Sequence, residues 1–128
     1  MKYLLDTHIL LWILEDNESL SSRLRELLSA ESASNYVSIA TIWEIAIKAS
    51  LGKLQLNGGV SNVVKYVESS GIEIINIEPS YLEIVENLEF HHKDPFDRLI
   101  IATAMKEKMV VVSTDQHFRS YEIQLERT

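Results

Sequence analysis

The chain has 128 residues, 46% of them hydrophobic, a formal charge of −7 and no cysteine. A chain of this length buries roughly two-thirds of its unfolded surface, so residues 1–128 are expected to form a single domain with its own core. The missing cysteine excludes a disulfide scaffold, thiolate-bound zinc, an iron–sulfur cluster and a cysteine nucleophile; no apolar run reaches the ~20 residues of a membrane span, and acids arrive too early for a signal peptide. A cytoplasmic protein without membrane contact is the expectation. Twelve Lys+Arg against nineteen Asp+Glu speak at first against nucleic acid as a partner.

Tyr3-Leu4-Leu5 reads as a short apolar strand that stops at Asp6. His8 to Leu14 then reads as a helix hydrophobic nearly all round, and so buried on more than one side. Ser21 caps a second predicted helix whose inward stripe is Leu24, Leu27 and Leu28. Tyr36-Val37-Ser38 predicts another strand. Ile39 to Leu51 predicts a helix, with Ile42, Ile45, Ala46 and Ala49 at helical spacing and Gly52 at its end. Gly58-Gly59 is a turn, Val60, Val63, Val64 and Val67 mark a fourth helix, and Ile72 to Ile77 a strand. Ser80-Tyr81-Leu82-Glu83 has the capping-box pattern of a fifth helix running through Leu88. Asp94 before Pro95 has the form of an N-cap followed by proline at the first helical position, and that helix runs to about Lys108. Met109 to Ser113 is a continuous apolar strand of the doubly buried kind, ending at Thr114-Asp115. Strands alternating with helices imply an α/β sandwich whose parallel sheet is covered on both faces. Ligands in such folds sit at the carboxyl ends of the strands.

The chain has only five aspartates, and two of them, Asp6 and Asp115, directly follow buried-looking strands. Asp97 falls in the first turn of its helix, and Glu44 in the first turns of the helix after Ser38. If the first and last apolar strands are neighbours, these four carboxylates converge. Three carboxylates within about 5 Å repel by ~3 kcal/mol per pair at an effective dielectric of 20. Three such pairs rival the ~5–15 kcal/mol that stabilises a domain, so a shared proton or a bound cation must relieve them. An all-oxygen donor set suits Mg²⁺ or Mn²⁺, and the chemistry expected of it is phosphodiester hydrolysis. Asp6, Asp97 and Asp115 are the candidate ligands, and Glu44 is a ligand or the orienter of the attacking water. The Ser113 and Thr114 hydroxyls are candidates to support the ligands, and Lys48 and Arg98 to meet substrate phosphates.

Plainer roles compete. Asp6 and Asp115 fit strand-terminal turns, Asp97 a favourable charge at a helix N-terminus, and Asp94 reads best as an N-cap. Glu44 closes a capping box with Thr41 unless Ser38 is the cap; Lys48 is its i, i+4 partner, and Arg98 reads as a solvated charge. The four histidines lack zinc-binding spacing, and His91-His92 reads as a solvated polar loop. No Gly-rich loop precedes a helix, and no serine sits in a nucleophile elbow. Trp12 and Trp43, on apolar helices, read as core or interface residues.

In this order and at these separations, LLDTHILLW, SIATIWEIAIK, DPFDRLIIATA and VVVSTDQHF resemble the PIN domain, specifically the short VapC-type toxins of toxin–antitoxin pairs. The resemblance covers almost the whole chain. It implies a three-layer α/β/α sandwich with a central parallel sheet and a Mg²⁺- or Mn²⁺-dependent endoribonuclease. It also implies that Asp6, Glu44, Asp97 and Asp115 are the four family acids and that Ser113 occupies the family's hydroxyl position. A homodimer and a small cognate antitoxin, whose C-terminal segment covers the acidic groove, follow from the same resemblance. Asp94 lies outside the core pattern, and its part in metal binding stays open.

Other classes fit less well. A PIN-type RNA-processing nuclease without an antitoxin is the nearest alternative, followed by a binding-only protein with a vestigial site. A phospho-receiver module needs an acidic pair after the first strand and a lysine after a late one, whereas Asp6 stands alone and Thr114-Asp115 replaces the lysine. A haloacid-dehalogenase-like phosphatase needs a second aspartate where His8 stands.

Overall fold

A computed structural model describes residues 1–121 and 123–126 of the chain. Strand β1 (Lys2–Leu5) leads into helices α1 (Thr7–Glu15) and α2 (Ser22–Ser29), and β2 (Ser34–Ser38) into α3 (Ile39–Ser50) and α4 (Gly59–Ser69). Strand β3 (Glu73–Ile75) precedes α5 (Pro79–Asn87) and α6 (Pro95–Glu107). Strand β4 (Val110–Val112) is followed by a 3-10 turn (Gln116–Ser120) and β5 (Leu125–Glu126). The five strands form one sheet in the order β3-β2-β1-β4-β5, every pairing parallel.

The two-residue period of the strands divides the core. Tyr3, Leu5, Val110 and Val112 face the cluster built from Ile9 and Leu10 of α1, Leu24 of α2, Ile42 and Ile45 of α3, and Val63 and Val67 of α4. Leu4 and Val111 point the other way, onto Ile100, Ile101 and Ala104 of α6 with Phe118 and Tyr121. Helix α5 packs on α6 and reaches α3 through Tyr81, Ala40, Leu99 and Ala102. The result is a three-layer α/β/α sandwich with a central parallel sheet, in which β1 and β4 are buried on both faces. Their continuous apolar runs need that environment. Among the described residues, no helix is long and apolar enough to cross a membrane.

One local expectation fails for a physical reason, and one open alternative is decided. Helix α5 begins at Pro79, one residue before the serine expected to cap it, and Glu78 at the N-cap makes no side-chain cap hydrogen bond. Proline's fixed φ starts the helix, and its missing N–H removes one donor that a cap would satisfy. Helix α3 is capped by Ser38, whose Oγ accepts the Ala40 N–H at 3.0 Å. The alternative Thr41–Glu44 capping box is absent, and among the described residues Thr41 Oγ1 is buried without a partner. Gly58, at the N-cap of α4, has φ of 82°, and a Cβ there would lie 2.8 Å from the Asn62 side chain, so the turn requires glycine.

Candidate active site

Strand β1 continues into β2 on one side, while β4 returns to its other side. In open α/β sheets ligands bind at such a reversal, in the crevice outside the carboxyl ends of the strands, here β1 and β4. Asp6 and Asp115 leave the sheet there. The Asp6 N–H donates to Val112 O at 3.1 Å, extending the ladder by one rung. Its Oδ1 caps α1 by accepting the Ile9 N–H at 2.9 Å, and its Oδ2 accepts the Ser113 hydroxyl. Ser113 Oγ in turn accepts the Asp115 N–H at 3.0 Å, so one buried hydroxyl ties the two strand-end acids together. Burial raises the Asp6 pKa, and the hydrogen bonds from Ser113 and Ile9 offset part of that rise.

Glu44 reaches the crevice from the second turn of α3. Its Oε1 accepts the Thr7 hydroxyl at 2.6 Å, and its Oε2 lies 3.0 Å from Lys48 Nζ, one helical turn on. Asp94 caps α6: its Oδ1 accepts the N–H groups of Phe96 and Asp97, at 2.9 and 3.0 Å. That cap places Asp97 in the first turn, facing the other acids. Burial, then the charges of Asp94, Asp6, Glu44 and Asp115, push the Asp97 carboxyl up to about 8. Asp6, Glu44 and Asp115, singled out in the sequence, therefore lie close enough to act on Asp97.

Two residues occupy positions the sequence does not predict. His92, expected in solvent, has a side chain only 12% exposed, and its Nε2 lies 2.9 Å from both Asp97 Oδ2 and Asp115 Oδ2. Asp115 also accepts at Oδ1 from the His117 N–H and from His117 Nδ1, both at 2.9 Å. Burial pushes Asp115 up, but the hydrogen bonds from His117 and His92 outweigh it and hold the carboxyl below its ordinary value. The available signal was position: His92 lies two residues before the α6 cap, and His117 two residues after a strand-end acid.

Arg98 is neither a solvated charge nor open to a substrate phosphate. It is 5% exposed, and its guanidinium donates to the carbonyls of Val85, Leu88, Glu89 and His92 at 3.0–3.2 Å, with the Phe90 ring 4.0 Å away. Removing it leaves four carbonyls and a void. Arg98→Met should lower stability by about 3 kcal/mol, measured by urea unfolding; a change below ~1 kcal/mol would mean that the carbonyls find other partners. Thr114 is half-buried and, among the described residues, makes no hydrogen bond to the acids. Trp43 is 59% exposed and packs edge-on against Phe96 at 5.2 Å, outside the core.

The family model of the PIN domain matches residues 3–124. The chain belongs to the PIN-domain family. Searched by sequence, the curated proteins give no match. Among solved structures, this PIN domain is similar to a chain of VapBC2 from Rickettsia felis, bound to a DNA fragment from its promoter. The two are 20% identical with a TM-score of 0.78, over 99% of this chain and 98% of that one. DNA-bound VapBC from Salmonella typhimurium gives 20% identity and a TM-score of 0.69 over 99% and 98%. A toxin–antitoxin complex from Klebsiella pneumoniae gives 20% and 0.66 over 97% and 95%. At this identity the likeness is one of fold.

The residues of this PIN domain fit a divalent cation. Ligand atoms of His92, Asp115 and His117 lie within 4.8 Å of one another, and Asp97, raised by burial and by the charges of Asp94, Asp6, Glu44 and Asp115, meets that group across His92. A cation there would relieve the repulsion among these carboxylates.

Proposed function

We propose that the protein is a Mg²⁺- or Mn²⁺-dependent endoribonuclease and the toxin of a type II toxin–antitoxin pair, with residues 1–128 as a single nuclease domain acting in the cytoplasm. The observation that carries this reading is the gathering of acids at the carboxyl ends of β1 and β4, where Ser113 joins Asp6 to Asp115 and His92 lies 2.9 Å from both Asp97 and Asp115. A fold keeps such a cluster, at a cost in stability, where a ligand of opposite charge uses it. The bound cation supplies polarisation of a phosphoryl oxygen and a water of lowered pKa.

The chain's own groups then have distinct tasks. Asp6, Asp97 and Asp115 hold the cation, and Ser113 fixes the rotamer of Asp6. Glu44, anchored by Thr7 and Lys48, orients the attacking water. Lys48, 37% exposed, is placed to attract the phosphate beside the cation. Asp94 acts through α6 as its cap.

Two structural neighbours, from Klebsiella pneumoniae and Mycobacterium tuberculosis, are named as a toxin–antitoxin complex and as a member of a family of toxin–antitoxin systems, which supports a small antitoxin as partner. The same reading includes a homodimer. Expressed alone, the chain should arrest bacterial growth, and Asp6→Asn should relieve the arrest. Co-expression of an adjacent small reading frame should do the same, and its product should co-purify with the chain. RNA cleavage by the purified protein without growth arrest or a co-purifying partner would instead indicate an RNA-processing nuclease.

A further inference from the structure

We infer that His92 is a positioning residue for the carboxylates of Asp97 and Asp115, presented to them by a clasp that Arg98 and Tyr121 build around residues 85–92. The inference rests on the proposed role of those carboxylates as cation ligands.

The clasp holds the His92 backbone from both sides. Arg98 Nη1 donates to His92 O at 3.2 Å and to Glu89 O at 3.0 Å, and its Nη2 donates to Val85 O and Leu88 O at the end of α5. The Tyr121 hydroxyl donates to Glu89 O at 2.7 Å and accepts the His92 N–H at 2.9 Å. Two side chains, one from the first turns of α6 and one from beyond β4, thereby fix a loop that has no regular structure of its own.

The ring is oriented as firmly. The Asp94 N–H donates to His92 Nδ1 at 3.2 Å, which leaves the proton of a neutral imidazole on Nε2. That N–H points to Asp115 Oδ2 at 2.9 Å, with Asp97 Oδ2 at the same distance from the nitrogen. Phe118 lies edge-on to the ring at 6.0 Å, and the His117 ring is 4.8 Å away. A loop needing only a defined path has no use for an imidazole with a fixed tautomer between two acids. A carboxylate oxygen has two lone pairs, so Asp115 Oδ2 can accept this N–H and keep a second pair for a cation. The same nitrogen lies 2.9 Å from Oδ2 of both acids, so one fixed ring sets the positions of two side chains that come from different elements. Hydrogen-bonding groups that orient metal ligands typically contribute 10–100-fold in metal affinity.

The test is a calorimetric Mn²⁺ titration of the wild type, His92→Ala and His92→Gln, with thermal midpoints for each and ¹⁵N NMR of the metal-free wild-type imidazoles. Gln can place an amide N–H near the position of Nε2. His92→Ala should weaken Mn²⁺ binding by roughly 10–100-fold, His92→Gln should recover most of the loss, and the metal-free His92 ring should carry its proton on Nε2. Unchanged Mn²⁺ affinity in His92→Ala would overturn the inference and leave the proposed function standing. So would equal losses in both variants that follow a falling midpoint, or a proton found on Nδ1. A wild type that binds no Mn²⁺ would overturn the function reading, and this inference with it.

Discussion

The Asp97→Asn protein is expected to lose Mn²⁺-dependent RNA cleavage by at least ~100-fold, since a ligand should matter no less than the groups that orient it, while becoming more stable than the wild type in the absence of metal. Both effects arise from one carboxyl. Asp97 titrates at about 8 in the fold against 3.8 in the unfolded chain. Between those values the folded state binds the extra proton, so the contribution of Asp97 to stability is fully present below pH 3.8 and is lost as pH rises through about 8. Every tenfold difference in proton affinity between the folded and unfolded chain corresponds to about 1.4 kcal/mol. With the side chain 20% exposed and the site able to relax, the penalty near pH 8 should be a few kcal/mol. Asn has the same shape and no charge to titrate, so Asp97→Asn should be the more stable protein in chelator above neutral pH and should match the wild type in acid. Buried Asp6 adds a slope of the same sign. Asp115 acts oppositely: its lowered carboxyl contributes stability above the unfolded value, lost as pH falls through the folded one. Urea unfolding of both proteins across this range checks the account, and an Asp97→Asn protein less stable than the wild type at about pH 8 would contradict it.

Divalent cation should reverse the same pH dependence. In chelator, the wild-type thermal midpoint should fall from about pH 6 to about pH 8 as Asp97 ionises among its neighbours. At a Mg²⁺ or Mn²⁺ concentration 100 times the dissociation constant, mass action adds about 2.7 kcal/mol. In a chain of this size that corresponds to a rise of roughly 10 °C. The rise should be larger at about pH 8 than at about pH 6, because the proton that competes with the cation has gone. In Asp97→Asn the rise should nearly vanish at either pH. Differential scanning calorimetry in chelator and in Mg²⁺ gives the comparison directly; equal midpoints for the wild type in both would argue that the acids hold no cation.

Much of this site was legible in the sequence because its parts are local. Apolar runs that end abruptly at Asp6 and at Thr114-Asp115 announce doubly buried strands with acids at their carboxyl ends. Asp94-Pro95 announces the start of α6, and that fixes the helical phase of Asp97. What the sequence conceals depends on partners far along the chain. Arg98 finds its carbonyls 6 to 13 residues earlier, and Tyr121 reaches back 29 and 32 residues to fix His92 and Glu89. Neither distance leaves a periodic signal, so a buried clasp read as a surface charge and a constrained imidazole as loop. Among the described residues, strand β5 has two residues, paired with Val111 and Val112, too few for any alternation to register. Ser38 and Thr41 offered equivalent caps on paper, and backbone geometry decided for Ser38.

The net charge of −7 takes on a different meaning in this fold. Under the proposed function, acids gathered at one place would be a cation site before they were a barrier to RNA, and the bound cation would carry the contact with phosphate. If those acids hold the cation on which RNA cleavage depends, removing either should abolish it. The decisive experiment incubates the purified chain with RNA in Mn²⁺, in Mn²⁺ with excess chelator, and as the folded Asp6→Asn protein. Cleavage is expected only in the first case. Cleavage that persists undiminished in chelator, or in Asp6→Asn, would contradict the proposed function.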